Sequence, residues 1–181
     1  MRAVILLADG FEECEALIVV DILRRAGIET VMASIGEQLE VDSSRHIVVK
    51  ADAMAADVDY DSADLVILPG GRLGTEKLND SRIVLDTVMD FAADKMVAAI
   101  CAAPSILAGL GLLNGKEATC HPDYVGQMAG AILTNASVAV DGNIITGQGL
   151  GATFDFAFEV VRQLIGEERV HQLKAAICYR G

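Results

Sequence analysis

Three side chains in this sequence, a thiol, a carboxyl and an imidazole, are of types that proteins combine for nucleophilic and acid–base catalysis. The thiol is that of Cys101, which follows the apolar run MVAAI (96–100) and precedes Pro104. Proline is favoured in the first turn of a helix, so this order predicts a buried strand, a sharp turn and a helix. A helix N-terminus stabilises a thiolate, and we therefore expect a lowered pKa for Cys101. The same pattern also suits a cysteine that is only a small buried residue, so both interpretations stay open.

The carboxyl is that of Glu15. On a helix its neighbours at i−4, i+3 and i+7 are Phe11, Ile18 and Ile22, so the carboxylate lies within an apolar stripe, where charge is costly. Burial raises the pKa of such a group and can keep it protonated. A protonated carboxyl beside a thiolate is a workable acid–base pair, provided that the strand before Glu15 lies near the strand before Cys101.

The imidazole is that of His121, in the segment TCHPD, where the following Pro122 favours extended backbone. The other two histidines, His46 and His171, lie in an alternating segment and in a charged helix, where solvated or structural roles are expected. A structural role is an alternative for His121 as well.

The elements that must position these residues alternate between strands and helices. We predict strands at 2–7, 28–34, 63–71 and 96–100, helices at 11–27, 81–94, 103–113, 153–166 and 167–176, a hairpin at 137–147, and either a hairpin or two edge strands at 38–52. This alternation predicts an α/β fold with a mostly parallel sheet covered on both faces. Ligands bind such sheets at the carboxyl ends of the strands, where the loops ADGFEE, LPGGRLG and ICAAP leave.

Composition excludes several classes of protein. The 181 residues suit one domain, and the net charge of −12, from 26 acidic and 14 basic residues, disfavours nucleic acids and anionic membranes as partners. The uncharged stretch 96–113 is nearly long enough to span a bilayer, but Pro104 divides it. The N-terminal apolar run ends too early for a signal peptide, and the four cysteines show no CxxC or zinc spacing. We therefore expect a cytoplasmic protein with free thiols and no metal site.

The segments LADGFEECEALIVVDILRRAGI, LVILPGG, AAICAAP and HPD, in this order and spacing, resemble the DJ-1/ThiJ/PfpI superfamily in its DJ-1-like branch. The resemblance continues through GQGLGATFDFA and covers essentially the whole chain, 1–181, as a single domain. It implies a flavodoxin-like three-layer sandwich. It also implies roles for specific residues: Cys101 as nucleophile, Glu15 as the carboxyl hydrogen-bonded to it, His121 as the nearby imidazole, and Gly70, Gly71 and Ala102 as an anion pocket of backbone N–H groups.

Departures from the superfamily narrow the function. Ala102, and not histidine, follows the cysteine, which disfavours a PfpI-type cysteine peptidase. A glutamine amidotransferase would need a His-x-Glu motif downstream of the cysteine, and this sequence has none. Nothing in the sequence indicates a thiazole or thiamine ligand either. Gln148 and Leu150 stand where DJ-1-like proteins often have arginine and proline, so the substrate preference is left open.

The resemblance implies a cofactor-independent glyoxalase or deglycase. Cys101 would attack a small aldehyde or ketoaldehyde such as methylglyoxal, or its adduct with a protein, and a hydroxy acid such as lactate would form. The alternative is a redox sensor or holdase chaperone, in which Cys101 is oxidised and does not turn over substrate.

Helix 11–27 also predicts assembly. It is apolar nearly all round between Ala16 and Leu23, with only Asp21 charged, whereas a helix covered on one side only has a polar outer face. We therefore expect a homodimer with this helix in the interface, and a local ion pair from Asp21 to Arg24 or Arg25.

Two further residues are placed at this interface. The resemblance implies that Arg45 reaches the partner's site. If the two copies of the helix cross at the dimer axis, Cys14 faces its symmetry mate, within reach of a disulfide.

Overall fold

Strands and helices alternate along residues 1–180, the part of the chain that the computed structural model describes. The helices are α1 (Glu13–Ala26), α2 (Arg72–Asp80), α3 (Arg82–Asp94), α4 (Pro104–Gly109), α5 (Thr153–Ile165) and α6 (Glu167–Ala176). The strands are β1 (Arg2–Leu7), β2 (Glu29–Ser34), β3 (Glu40–Asp42), β4 (Val48–Lys50), β5 (Ala53–Met54), β6 (Leu65–Leu68), β7 (Met96–Ile100), β8 (Glu117–Ala118), β9 (Ile132–Leu133), β10 (Val138–Asp141) and β11 (Ile144–Gly147).

The central sheet has seven strands in the order β10-β11-β7-β6-β1-β2-β5. All neighbours in it run parallel except β10 and β11, which form the predicted hairpin. The order β2-β1-β6-β7-β11 is the 2-1-3-4-5 order of flavodoxin-like sheets, which confirms the predicted fold class. The hairpin predicted at 38–52 also forms, as the antiparallel pair β3–β4, but it stands outside the central sheet.

Two hydrophobic layers cover the sheet. Side chains of β1 alternate between them: Ile5 and Leu7 face the layer that contains α1, α5 and α6, and Val4 and Leu6 face the layer with α2, α3 and α4. All the β1 residues from 3 to 7 are fully buried, which explains why this strand is a continuous apolar run.

The structure differs from the sequence prediction for two helices. The helix predicted at 103–113 ends at Gly109, and Gly111 then adopts a left-handed φ of 75° in a turn. Helix α2 begins within LPGGRLG, which is predicted as a loop, and continues to Asp80 through residues for which no element is predicted. Gly74 explains the position of α2, because a Cβ at that residue would lie 2.7 Å from the backbone of Phe11. No helix within residues 1–180 is long and apolar enough to cross a bilayer.

Candidate functional site

Cys101 forms a strained turn between β7 and α4. Its φ is 66°, a left-handed value that residues with a Cβ rarely adopt. Two backbone hydrogen bonds hold it: its N–H donates to the Gly147 carbonyl (2.9 Å), and its carbonyl accepts from the His121 N–H (2.8 Å). Such conformations cost about 1–3 kcal/mol and persist where the surroundings enforce them, as at functional sites.

Glu15 is 1% exposed, on the first turns of α1. Its Oε2 accepts a hydrogen bond from the Gly70 N–H at 3.0 Å, whereas Oε1 has no hydrogen-bond partner within the described chain. Burial raises the pKa of the Glu15 carboxyl to about 7, against the opposing effect of hydrogen bonds from the Cys101 thiol and Gly70. The raised pKa agrees with the apolar stripe seen in the sequence, and it leaves this carboxyl protonated for part of the time at neutral pH.

The lowered pKa expected for Cys101 is wrong. Burial raises the pKa of its thiol to about 12, and the charge of Glu15 and the hydrogen bond to that carboxylate act in the same direction. Hydrogen bonds from the N–H groups of Gly71 and Ala102 lower it, but by less. The helix after Cys101 has only six residues, so little dipole is available to offset burial. Protonation of Glu15 would remove one of the effects that oppose the thiolate, namely the negative charge.

The three predicted side chains meet beside Gly149. A Cβ built on that residue would lie 3.6 Å from Cδ2 of His121, 3.9 Å from Sγ of Cys101 and 4.0 Å from Oε1 of Glu15. The structure therefore brings the thiol, the carboxyl and the imidazole around one small space that only a glycine leaves open. Sequence analysis missed Gly149, because nothing local in GQGLG shows which glycine faces the site.

The imidazole of His121 is oriented by the turn that follows it. Its Nδ1 accepts a hydrogen bond from the Asp123 N–H at 3.3 Å, and the 3-10 helix 122–127 begins there. A neutral ring that accepts at Nδ1 carries its proton on Nε2, so His121 offers an N–H donor from its other nitrogen.

The expected anion pocket is divided. The N–H groups of Gly71 and Ala102 lower the pKa of the Cys101 thiol, so they favour negative charge on its sulfur. Gly70 is a correction to the expected set, because its N–H is bound to Glu15. A Cβ at Gly70 would lie 2.6 Å from Cβ of Cys101 and would overlap the Glu15 carboxylate. The role of Gly70 is thus to let the thiol and the carboxyl approach each other.

These residues open into a cleft of about 1160 Å³, between the N-terminus of α1, the β3–β4 hairpin and the loops after β6, β7 and β11. Arg45, Gln148 and Leu150 all line it. Arg45 therefore lies at the site of its own chain, where its Nη1 donates to the Ser44 carbonyl (3.2 Å). Whether it also reaches a partner's site stays a prediction.

The sequence also did not predict the hydrogen bonds that join the β3–β4 hairpin to the start of α1 beside the site. The Ser44 hydroxyl lies 2.8 Å from a carboxylate oxygen of Glu12 and 3.2 Å from one of Glu13. Burial raises the pKa of Glu13, yet hydrogen bonds from its own N–H and from Ser43 and Ser44 leave it below its usual value. This contact joins residues about 30 positions apart, and no sequence pattern signals it.

Fewer apolar side chains remain uncovered on the outer face of α1 than its sequence suggests. The helix packs against α5 and α6, which cover most of its apolar side chains, and only Leu17 and Ile18 are left half-buried beside the exposed Cys14. Asp21 pairs with Arg25 at 2.6 Å, one of the two local pairs expected.

The comparisons with known proteins agree with the fold. A model of the DJ-1/PfpI family matches residues 1–163. The chain is 37% identical to the Parkinson disease protein 7 homolog of Danio rerio over 181 residues, covering 97% of this chain and 96% of that protein. A deglycase of Pyrococcus abyssi is 32% identical over 167 residues, 91% of this chain and 99% of the relative. Oxidized DJ-1 of Toxoplasma gondii superposes with a TM-score of 0.95 at 32% identity, with 99% of each chain covered. The chain is therefore a member of the DJ-1/PfpI family.

Proposed function

We propose that this protein is a cofactor-independent glyoxalase or deglycase, which uses Cys101 to convert small reactive carbonyls such as methylglyoxal, free or attached to proteins, into hydroxy acids. The observation that carries the proposal is the meeting of Cys101, Glu15 and His121 beside Gly149. The Pyrococcus abyssi relative, which is named a deglycase, supports the same class of activity.

In the first step, the sulfur of Cys101 bonds to the aldehyde carbon of methylglyoxal. The Glu15 carboxylate accepts the thiol proton and passes it to the aldehyde oxygen, which gives a neutral hemithioacetal. We expect the N–H groups of Gly71 and Ala102, which lower the pKa of the thiol, to stabilise the oxyanion that develops there as well.

In the second step, the Glu15 carboxylate removes the proton from the former aldehyde carbon and returns it to the neighbouring carbon. His121 Nε2–H donates a proton to the ketone oxygen, which becomes the hydroxyl of the product, and the hydroxyl on the former aldehyde carbon gives up its proton to the imidazole as the thioester carbonyl forms. The product is a lactate thioester on Cys101. Water then cleaves the thioester, which releases lactate and restores the thiol, so methylglyoxal and water give lactic acid with no external oxidant or reductant.

The pKa of Glu15 suits this work. At about 7 the carboxyl can both take and give a proton near neutral pH, which is the condition for efficient general acid–base catalysis. When Glu15 accepts the thiol proton it becomes neutral, which removes the negative charge that helps to raise the thiol pKa to about 12.

Lactate formation from methylglyoxal tests the proposal. The wild type is expected to form lactate, and Cys101→Ser is expected to form none above the uncatalysed rate while keeping its circular dichroism spectrum. Cys178→Ser is the matched control, since Cys178 is exposed and lies outside the cleft. Equal rates for Cys101→Ser and Cys178→Ser would contradict the proposal.

A second candidate function is redox sensing through the same thiol. The N–H groups of Gly71 and Ala102 and a protonated Glu15 are donors suited to the oxygens of a sulfinate, and one related structure is that of an oxidized DJ-1. Peroxide should then bring Cys101 to a lasting sulfinate, which intact mass spectrometry detects. Sulfinate formation without lactate formation would favour the sensor, and the holdase chaperone remains part of this alternative.

We also propose that the protein works as a cytoplasmic homodimer. The half-buried Leu17 and Ile18 beside the exposed Cys14 support an interface on the outer face of α1.

A further inference from the structure

A second cleft, of about 490 Å³, adjoins the catalytic one. It lies between α2, α4 and the 3-10 helix 122–127, and we name it the α2–α4 cleft. Arg72, Asp123 and Tyr124 line both clefts, so the two spaces meet along these three side chains. A bound molecule can therefore occupy both at once. The volume is within the range of sites for small ligands.

The lining of the α2–α4 cleft is polar and carries both signs of charge. Arg72 is its one guanidinium, and Glu76 and Asp123 are its carboxylates. Burial raises the pKa of the Tyr124 hydroxyl, and the charges of all three act on it as well.

Thr75 adds an unpaired group to the wall. It is 4% exposed, and its hydroxyl has no hydrogen-bond partner within the described chain. A threonine inside a helix ordinarily bonds back to the carbonyl four residues earlier, which here is that of Gly71. A buried hydroxyl without a partner is costly, and because Thr75 lines the α2–α4 cleft, a ligand there can supply the missing bond.

We propose that the α2–α4 cleft binds the α-amino and α-carboxylate groups of a free amino acid whose side chain carries the carbonyl adduct toward Cys101. Arg72 pairs with the carboxylate, and Glu76 and Asp123 accept from the ammonium group. The assignment of the adduct to Cys101 rests on the proposed function, whereas the binding of the amino acid does not.

Other ligand classes fit less well. A phosphate would meet two carboxylates for one guanidinium, so the net charge of the lining opposes a dianion. An apolar group would bury the Thr75 hydroxyl and the charged side chains without partners. A zwitterion satisfies both signs of charge together.

Isothermal titration calorimetry with Nε-acetyl-lysine tests the site, because this free amino acid carries an unreactive acyl group on its side chain. Its analogue with an acetylated α-amine and a methylamide at the carboxyl is the matched ligand. The wild type is expected to bind the free amino acid at least about tenfold more tightly than the blocked analogue. Arg72→Gln should weaken the binding of Nε-acetyl-lysine by about tenfold. Arg82→Gln, which removes an exposed arginine of α3, should leave it unchanged.

Thr75→Val separates binding from structure. Removal of an unpaired buried hydroxyl should raise Tm by roughly 2 °C while it weakens Nε-acetyl-lysine binding severalfold. A merely structural Thr75 would change Tm and leave binding as it is.

Equal affinity for the blocked analogue, unchanged affinity in Arg72→Gln, or no saturable binding to the wild type would each overturn the proposal. Lactate formation from methylglyoxal, measured on the same preparation, separates this result from the proposed function. Binding without lactate rejects the enzyme and keeps the amino-acid site; lactate without binding rejects the site alone.

Discussion

The thiol of the half-buried Cys101 and the carboxyl of Glu15, which is 1% exposed, lie side by side, so the charge on one sets the proton affinity of the other. A charge held next to a thiol in a medium of low dielectric acts strongly on its ionisation. Chemistry at Cys101 therefore depends on the protonation of Glu15 as much as on the turn that presents the sulfur.

Neutralising Glu15 should make Cys101 more reactive. Glu15→Gln keeps a side chain of the same shape and removes the charge that disfavours the thiolate, so the pH midpoint of alkylation by iodoacetamide should fall by about one pH unit or more. Rates are measured by mass spectrometry between neutral and alkaline pH. Glu168→Gln, an exposed change on α6, serves as control and should keep the midpoint of the wild type. An unchanged midpoint in Glu15→Gln would show that burial alone governs the thiol.

The same carboxyl should give stability a defined pH dependence. The pKa of Glu15 rises from 4.5 to about 7 on folding, so the native state binds its proton more tightly than the unfolded state does. Stability from this group is complete below pH 4.5 and is lost as pH rises through about 7, a change of about 3 kcal/mol.

Urea unfolding across that range tests the effect. The wild type should lose stability relative to Glu15→Gln as pH rises from 4.5 to 7, because only the wild type has a carboxyl at position 15 that binds its proton more tightly in the folded state than in the unfolded state. A constant difference between the two proteins over this range would contradict the account.

At the scale of elements, the turn from β11 to α5 lies beside the turn after β7, because β11 and β7 are parallel neighbours in the sheet. Gly149→Ala places a methyl group at ordinary contact distance from Cys101, Glu15 and His121, at 3.6–4.0 Å. It should fit without strain, change the free energy of unfolding by less than about 1 kcal/mol, and yet reduce lactate formation at least about tenfold, since it fills the space for the carbonyl.

Gly151→Ala is the matched control for that change. Gly151 lies two residues on, its added Cβ meets nothing within 4 Å, and it should leave both turnover and stability near those of the wild type. Equal turnover in the two variants would remove Gly149 from the site.

The sequence predicted those elements whose determinants lie in neighbouring residues, and it missed those that depend on contacts with distant parts of the chain. Strand β7 was predicted with its observed bounds, 96–100, because a buried parallel strand is a continuous apolar run and Pro104 marks the helix after it. Helix α2 was missed, because it contains Gly74, whose purpose is the close approach to Phe11 from far along the chain.

The same distinction applies to the candidate site. Cys101, Glu15 and His121 could be singled out by residue type and by a family resemblance. The raised thiol pKa, the use of the Gly70 N–H by Glu15 and the place of Gly149 depend on contacts between loops that meet only in the folded chain.

At the scale of the whole molecule, we expect a homodimer through the outer face of α1. Light scattering at micromolar concentration should give twice the chain mass of 19.1 kDa for the wild type. Leu17→Glu places a charge on the half-buried face and should give the monomer mass, whereas Val125→Glu, an exposed site on the 3-10 helix 122–127, should not. A monomeric wild type would contradict the interface.

Cys14 reports on the same interface. If the two helices bring their Cys14 Cα atoms within about 7 Å, mild oxidation yields a disulfide-linked dimer on a non-reducing gel. The band should be absent in Cys14→Ser, and its persistence there would rule this pairing out.

The central claim, that Cys101 is the nucleophile and Glu15 moves the proton, is tested most directly by intact mass spectrometry of samples quenched during methylglyoxal turnover, with lactate measured in parallel. Glu15→Gln should accumulate one methylglyoxal mass on Cys101 and form almost no lactate, because its more readily ionised thiol can still add to the aldehyde, with water as proton carrier, whereas the proton transfer between carbons is blocked. Cys101→Ser should show neither the adduct at this position nor lactate, and the wild type should show lactate with little adduct. Lactate formation by Cys101→Ser at the wild-type rate, or by Glu15→Gln without any adduct, would contradict the mechanism.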